Sequence, residues 1–169
     1  SVTDWADRDT CILTADGAGA AVLGRSSSPR LGPVVWGSVP GMTSSVRIES
    51  PAGRFQQDGR RVFRWAISEA AAHAERAVSA SGMDLADIEV LLLHQANLRI
   101  IDPLAKALGL ANKIVLTDVT TSGNTSAASI PIGFSKWWHA GLIPADVPAL
   151  MFGFGGGFSY AGQVVMTPT

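Results

Sequence analysis

Val90-Leu91-Leu92-Leu93-His94-Gln95-Ala96-Asn97-Leu98 is the stretch that decides the fold class. Its apolar run has no polar residue at alternate positions, as expected of a strand buried on both faces. It ends at a histidine, and a helical pattern starts within a few residues. A doubly buried strand that hands over to a helix is the building unit of α/β proteins.

Working outward, helical spacing of Val62, Phe63, Ala66, Ile67, Ala70, Ala74 and Ala77 predicts one helix from Arg60, stopped by Gly82. Leu98, Ile101, Leu104, Ala105 and Leu108 predict a second, ended by Gly109. Pro103 interrupts it, so either Asp102 caps a shorter helix or the helix kinks. Ile114–Leu116 reads as a short strand and Thr125–Ala140 as a helix that Gly141 stops. Ala149–Phe154 and Phe158–Met166 read as two strands around Gly155-Gly156-Gly157. Upstream, Val34–Val39 is a strand, and Pro40–Gly59 is an irregular excursion carrying Arg47 and Arg54. Before it, Cys11–Thr14 and Ala20–Leu23 are β-like runs around the turn residues Asp16-Gly17-Ala18-Gly19. From Val34 onward the strand–helix alternation predicts a largely parallel sheet with an antiparallel terminal hairpin.

Composition narrows the class of protein. With 169 residues, 47% of them hydrophobic and only 16% charged, the chain has a real core and modest charge to cover its surface. That balance also suits a large interface with another chain. A net charge of −1 gives no reason to expect nucleic acid or an anionic membrane as a partner. A single cysteine excludes an internal disulfide and suits a reducing, cytoplasmic setting. No apolar run approaches the ~20 residues of a membrane span.

Chemistry concentrates at turns. His94 follows a buried strand, and Asn124 sits in the Gly/Ser-rich turn Ser122-Gly123-Asn124-Thr125-Ser126 that opens a helix. Two such turns can bring an imidazole N–H and a carboxamide N–H to one carbonyl oxygen. Glycines in Gly153-Phe154-Gly155-Gly156-Gly157-Phe158 would let backbone N–H groups approach the same place. Taken alone, His94 can equally be a packed structural imidazole, and the glycine run a flexible turn. His73 and His139 read as surface residues. No Gly-x-Gly-x-x-Gly follows a first strand, and no His/Cys/carboxylate cluster has metal-ligand spacing, so neither dinucleotide nor metal is expected. Ser122, Ser126 and Ser129 lack the Gly-x-Ser-x-Gly elbow of a nucleophilic serine. Cys11 lies in a β-like run, away from the helix N-terminus that would stabilise a thiolate.

Five stretches together resemble the C-terminal half of a β-ketoacyl-acyl-carrier-protein synthase III, a condensing enzyme of the thiolase superfamily. They are Asp7–Thr10 with Asp16-Gly17-Ala18-Gly19-Ala20, Gly59–Arg64, His94–Ile100, Gly123–Pro131 and Gly153–Phe158. The resemblance implies an α/β thiolase-like fold, a complete enzyme that pairs as a homodimer, and a missing N-terminal half. Residues 1–25 would be the terminal β-hairpin of that first half, and 26–169 the whole C-terminal half.

Carried over residue by residue, His94 and Asn124 would be the catalytic pair and the Gly156 N–H would share an oxyanion hole. Asn97, Gly59, Phe63 and Phe154 would bind substrate, and Arg64, Arg99 and Lys106 would meet the acyl carrier protein. Acyl-CoA and the carrier's phosphopantetheine would be substrates, with no cofactor. The Gln57-Asp58 helix entry and Pro103 depart from the commonest family pattern, which bears on the acyl group or carrier rather than the reaction. The family's nucleophilic cysteine belongs to the absent half, so Cys11 does not inherit the role. The expected reaction is a decarboxylative condensation in fatty-acid or polyketide initiation, with this chain inactive alone. The alternatives are an acyltransferase of the same fold without decarboxylation, or a non-catalytic half presenting a binding surface to another chain.

Overall fold

The computed structural model describes residues 2–49 and 53–169. Ser1 and residues 50–52, which belong to the expected N-terminal segment and the Pro40–Gly59 excursion, lie outside the described residues.

Strand β1 (Val35–Ser38) is followed by the short β2 (Val46–Arg47) and β3 (Gln56–Gln57), which pair with each other inside the excursion. Helices α1 (Gly59–Ser68) and α2 (Ala70–Ala80) lead to β4 (Val90–Leu93). Then come α3 (Leu98–Ala107), β5 (Ile114–Val115), the single-turn α4 (Val119–Ser122) and α5 (Ser129–His139). The hairpin β6 (Pro148–Gly155) and β7 (Ser159–Met166) closes the fold. The main sheet runs β1-β7-β6-β4-β5. β4 lies parallel to both β5 and β6, whereas β6–β7 and β7–β1 are antiparallel, so the sheet is mixed and partly parallel, with the terminal hairpin antiparallel as expected. The two antiparallel pairings arise because β7 turns straight back from β6 and β1 joins its far edge.

β4 has the doubly buried position its sequence requires. Leu91 and Leu93 point into one apolar cluster with Trp65, Ala74, Ala77, Ile101, Leu104 and Phe152. Val90 and Leu92 point the other way, into a cluster with Leu116, Ala149 and Val165, against Phe134, Trp137 and Trp138 of α5. The sheet is thus sandwiched by α1, α2 and α3 on one face and α5 on the other. Alanines at 70, 74 and 77 are fully buried, and their small size lets α2 lie close to β7. Added bulk at Gly162 would stand 2.9 Å from the Ala77 Cβ.

Three expectations are corrected. The helix predicted as continuous from Arg60 is broken at Glu69 (φ −124°), which ends α1 and precedes α2. Asp102 does not cap α3; Asn97 does, its side chain accepting from Arg99 N at 2.9 Å, and Pro103 is absorbed inside the helix. The β-hairpin expected within 1–25 is not formed. Asp7–Leu13 is a series of turns, and the chain from Thr14 to Arg25 has no regular structure. A β-prone run becomes a strand only beside a partner that takes its N–H and C=O groups. Here Ile12, Val22 and Leu23 are 81%, 101% and 75% exposed instead.

The exposed apolar side chains gather at this end of the chain, with Leu31, Val34 and Trp36 joining them. No helix among the described residues is long and apolar enough to cross a membrane.

Candidate active site

The carboxyl ends of β4 and β6 open on a concave face. A cleft of about 2180 Å³ lies there, larger than the ~300–1,000 Å³ usual for a small-molecule pocket. His94, Asn97, Asn124, Ser129, Phe154, Gly156, Gly59, Phe63 and Arg99 all border it.

His94 is the residue immediately after β4. Its N–H donates to the Phe152 carbonyl at 2.8 Å, which continues the parallel ladder, and its carbonyl accepts from Ala96 N at 2.9 Å in a tight turn. The ring is clasped on two sides. Phe154 meets it edge-on, with centroids 6.0 Å apart and planes at 88°, and its Nδ1 lies 2.7 Å from Ser129 Oγ. Burial pushes the imidazole down to about 4, so at neutral pH it is uncharged and carries one N–H.

Asn124 is set by backbone rather than by core packing. Gly123 (φ +68°) turns the chain out of α4, and Ser126 adopts φ +54°, an uncommon conformation for a residue with a side chain. Asn124 Oδ1 accepts from Ser126 N at 2.9 Å. An N–H can be met only by the carboxamide oxygen, so this bond fixes which way the amide faces and leaves its NH2 free of that contact. Behind it, Asn124 O accepts from Ala15 N at 2.8 Å.

Four features support these turns in roles that the sequence did not reveal. Gln95, 1% exposed, donates through Nε2 to Leu93 O (2.7 Å) and Leu116 O (3.0 Å) and accepts from Val119 N (3.0 Å). It ties the His94 turn to the segment that leads into Asn124. Ser129 reaches from the first turn of α5 to His94. Asp118, 5% exposed, accepts from Thr121 Oγ1 at 2.9 Å and pairs with Lys136 at 3.4 Å. Desolvation alone would raise this carboxyl. Hydrogen bonds from Ser122 and Thr121 and the Lys136 charge outweigh that and hold it below the usual carboxylate range. Finally, the segment that failed to form a hairpin lies against the Asn124 turn. Side chains at Gly17 and Gly19 would meet Thr125 Cβ at 2.9 Å and Pro131 Cγ at 2.5 Å.

The remaining candidates divide. Gly156 begins the tight turn between β6 and β7, with open space where a side chain would stand. Asn97 borders the cleft, but its side-chain oxygen is engaged in capping α3. Gly59 opens α1 and Phe63 projects from it, 37% exposed. Arg99 faces the cleft, whereas Arg64 and Lys106 are exposed on α1 and α3 and are absent from its lining. Cys11 is half-buried and also absent from the lining. His73 is no plain surface residue: half-buried, it packs against both Tyr160 (4.1 Å) and Trp65 (5.5 Å), which also face each other. Among the described residues no group of three His, Cys, Asp or Glu side chains is placed to hold a metal.

Comparison with known proteins matches residues 78–167 to the C-terminal profile of 3-oxoacyl-[acyl-carrier-protein] synthase III, and residues 1–40 to a second profile of the same synthase. β-Ketoacyl-[acyl-carrier-protein] synthase III 2 of Streptomyces avermitilis is 53% identical, over 99% of this chain and 54% of its own length. Synthase III 4 of Streptomyces coelicolor is likewise 53% identical, over 99% and 54%. Among solved structures, the priming β-ketosynthase of the R1128 polyketide biosynthetic pathway superposes with a TM-score of 0.90. It is 41% identical and is matched over 99% of this chain and 54% of that one. The Thermus thermophilus synthase III gives 0.89 at 33% identity, over 98% and 55%. The chain spans about half the length of the curated relatives it matches, and its fold is thiolase-like. On the profile matches, the shared fold and this level of identity, the chain belongs to the 3-oxoacyl-[acyl-carrier-protein] synthase III family.

Proposed function

We propose that this chain supplies the His/Asn half of a decarboxylating condensing enzyme that starts fatty-acid or polyketide chains. The observation that carries the reading is the arrival of His94 and Asn124 at one cleft from separate turns, with the Asn124 acceptor oxygen already occupied. In the reaction, a cysteine thiolate borne outside this chain displaces CoA from an acyl-CoA. Malonyl-carrier protein then loses CO2, and the electron pair left behind spreads onto its thioester oxygen. His94 and Asn124 donate to that oxygen. The carbanion attacks the acyl-enzyme carbonyl, the cysteine thiolate leaves, and a β-ketoacyl-carrier product is released.

A neutral imidazole suits this task, because it donates without offering a proton acidic enough to quench the carbanion. Gly156 N–H would take the oxyanion of the acyl-thioester attack. Asn97, Gly59, Phe63 and Phe154 border the path of the pantetheine arm, and Arg64, Arg99 and Lys106 would face the acidic carrier. The complete protein works as a homodimer.

The test is malonyl-carrier decarboxylation and acyl transfer by the complete protein bearing His94→Ala or Asn124→Ala. Each should lower decarboxylation about 10²–10³-fold, the usual loss for one oxyanion donor, and leave cysteine acylation nearly intact. Wild-type decarboxylation rates in both variants would refute the reading.

A further inference from the structure

Ser129 is 2% exposed and lacks the surroundings of a nucleophilic serine. Its hydroxyl has two neighbours in hydrogen-bonding reach among the described residues: Gln95 N at 3.2 Å and His94 Nδ1 at 2.7 Å. The Gln95 amide is a donor only, so Ser129 Oγ accepts from it. The hydroxyl proton must then go elsewhere, because a buried donor left without an acceptor is costly. A serine in a helix often returns its proton to the carbonyl one turn back. No such bond is present among the described residues. Among the described residues His94 Nδ1 is the one acceptor in reach.

From this accounting we infer that Ser129 is a positioning residue that donates its hydroxyl proton to His94 Nδ1 and thereby holds the ring N–H on Nε2, facing the cleft. The opposite assignment fails on the same count. If Nδ1 carried the proton, Ser129 Oγ would accept from both neighbours, and its own O–H would be left buried with nothing to bind. The ring would also present a bare lone pair to the cleft, which repels a developing oxyanion instead of holding it. The inference rests on the proposed role of His94 only for its catalytic consequence; the tautomer follows from the hydrogen-bond geometry alone. It also explains why a buried hydroxyl stands in the first turn of α5, where alanine would suit the helix better.

The experiment is nitrogen NMR of the complete protein with ¹⁵N-labelled histidine, the His94 signals being assigned by their loss in His94→Ala. The expected wild-type pattern near neutral pH is a protonated Nε2 and an unprotonated Nδ1. Ser129→Ala should give a mixture of tautomers. Its kcat for malonyl decarboxylation should fall about tenfold or more, with KM little changed, since removing the group that orients a metal-bound imidazole costs about 10–100-fold and the same orienting task is served here. Ser129→Thr, which keeps the hydroxyl, should restore both readouts. A wild-type spectrum with Nδ1 protonated overturns the inference, and this needs no variant to fold. So does a folded Ser129→Ala protein whose tautomer is unchanged, whatever its rate. A shifted tautomer with an unaltered rate would leave the assignment standing and remove His94 from the oxyanion site.

Discussion

The two turns that bring His94 and Asn124 together are built in opposite ways. The His94 turn continues a strand whose four residues are all buried, and the apolar clusters on both faces of the sheet hold it. The Asn124 turn has no strand beneath it. Two residues at positive φ, an ion pair reaching Lys136, and an extended N-terminal segment hold it instead. Hydrophobic packing is close to all-or-none, whereas polar clamps can be loosened one at a time. The position of the histidine should therefore resist changes at the surface, with its tautomer set by Ser129, and the asparagine should be adjustable from outside the cleft.

Gln95→Met breaks the comparison most severely, because Gln95 serves both turns. The change keeps volume but strands two carbonyls and an N–H, and with about 1–3 kcal/mol per buried unpaired group the loss should be at least ~3 kcal/mol. Urea unfolding of the complete protein measures it. Both site signals should be disturbed together.

His94 gives a pH signature that belongs to its turn alone. Its folded value of about 4 lies below the unfolded ~6.5, so between those values the unfolded state binds the extra proton. Stability should fall as pH drops from about 6.5 to 4, by up to ~3 kcal/mol, and level off below. Comparing wild type with His94→Gln across that window checks it: the variant's curve should be flatter.

Gly19→Val presses on Pro131 and tests the other turn. Overpacking of this kind costs about 1–3 kcal/mol. The Asn124 signals should move more than those of the His94 ring, which Pro131 reaches only through Ser129 in the same turn of α5.

Lys136→Met sharpens the contrast by the smallest step. Removing the partly exposed partner of buried Asp118 should cost about 1 kcal/mol, and only while the carboxylate is ionised. The Asp118 carboxyl is held below its usual value, so its contribution is present above pH ~4 and is lost as pH falls through the folded value. The difference between wild type and variant should therefore vanish in acid.

The same contrast explains what could be read from the sequence. Val90–Leu93 was legible because burial on two faces writes itself into consecutive apolar residues, and the β6–β7 hairpin because β-prone runs flank a glycine turn. The break at Glu69 was not, since the alanines around it keep helical spacing on both sides. Cys11–Thr14 and Ala20–Leu23 carry real β propensity, yet propensity does not supply a neighbouring strand. His94 and Asn124 stood out as polar residues at strand-to-helix turns. Ser129, Gln95 and Asp118 did not, because their partners lie far along the chain (Ser129 meets His94 across 35 positions) and small polar residues near a helix start have many ordinary uses.

The central claim is that His94 and Asn124 grip one oxygen. A double-mutant cycle on malonyl-carrier decarboxylation by the complete protein, with His94→Ala, Asn124→Ala and the pair, addresses it most directly. Two donors to one developing charge act as a unit, so the double variant should fall within about tenfold of the worse single variant. Losses that multiply in full would mean the two residues serve separate steps, and the shared oxyanion site would be wrong.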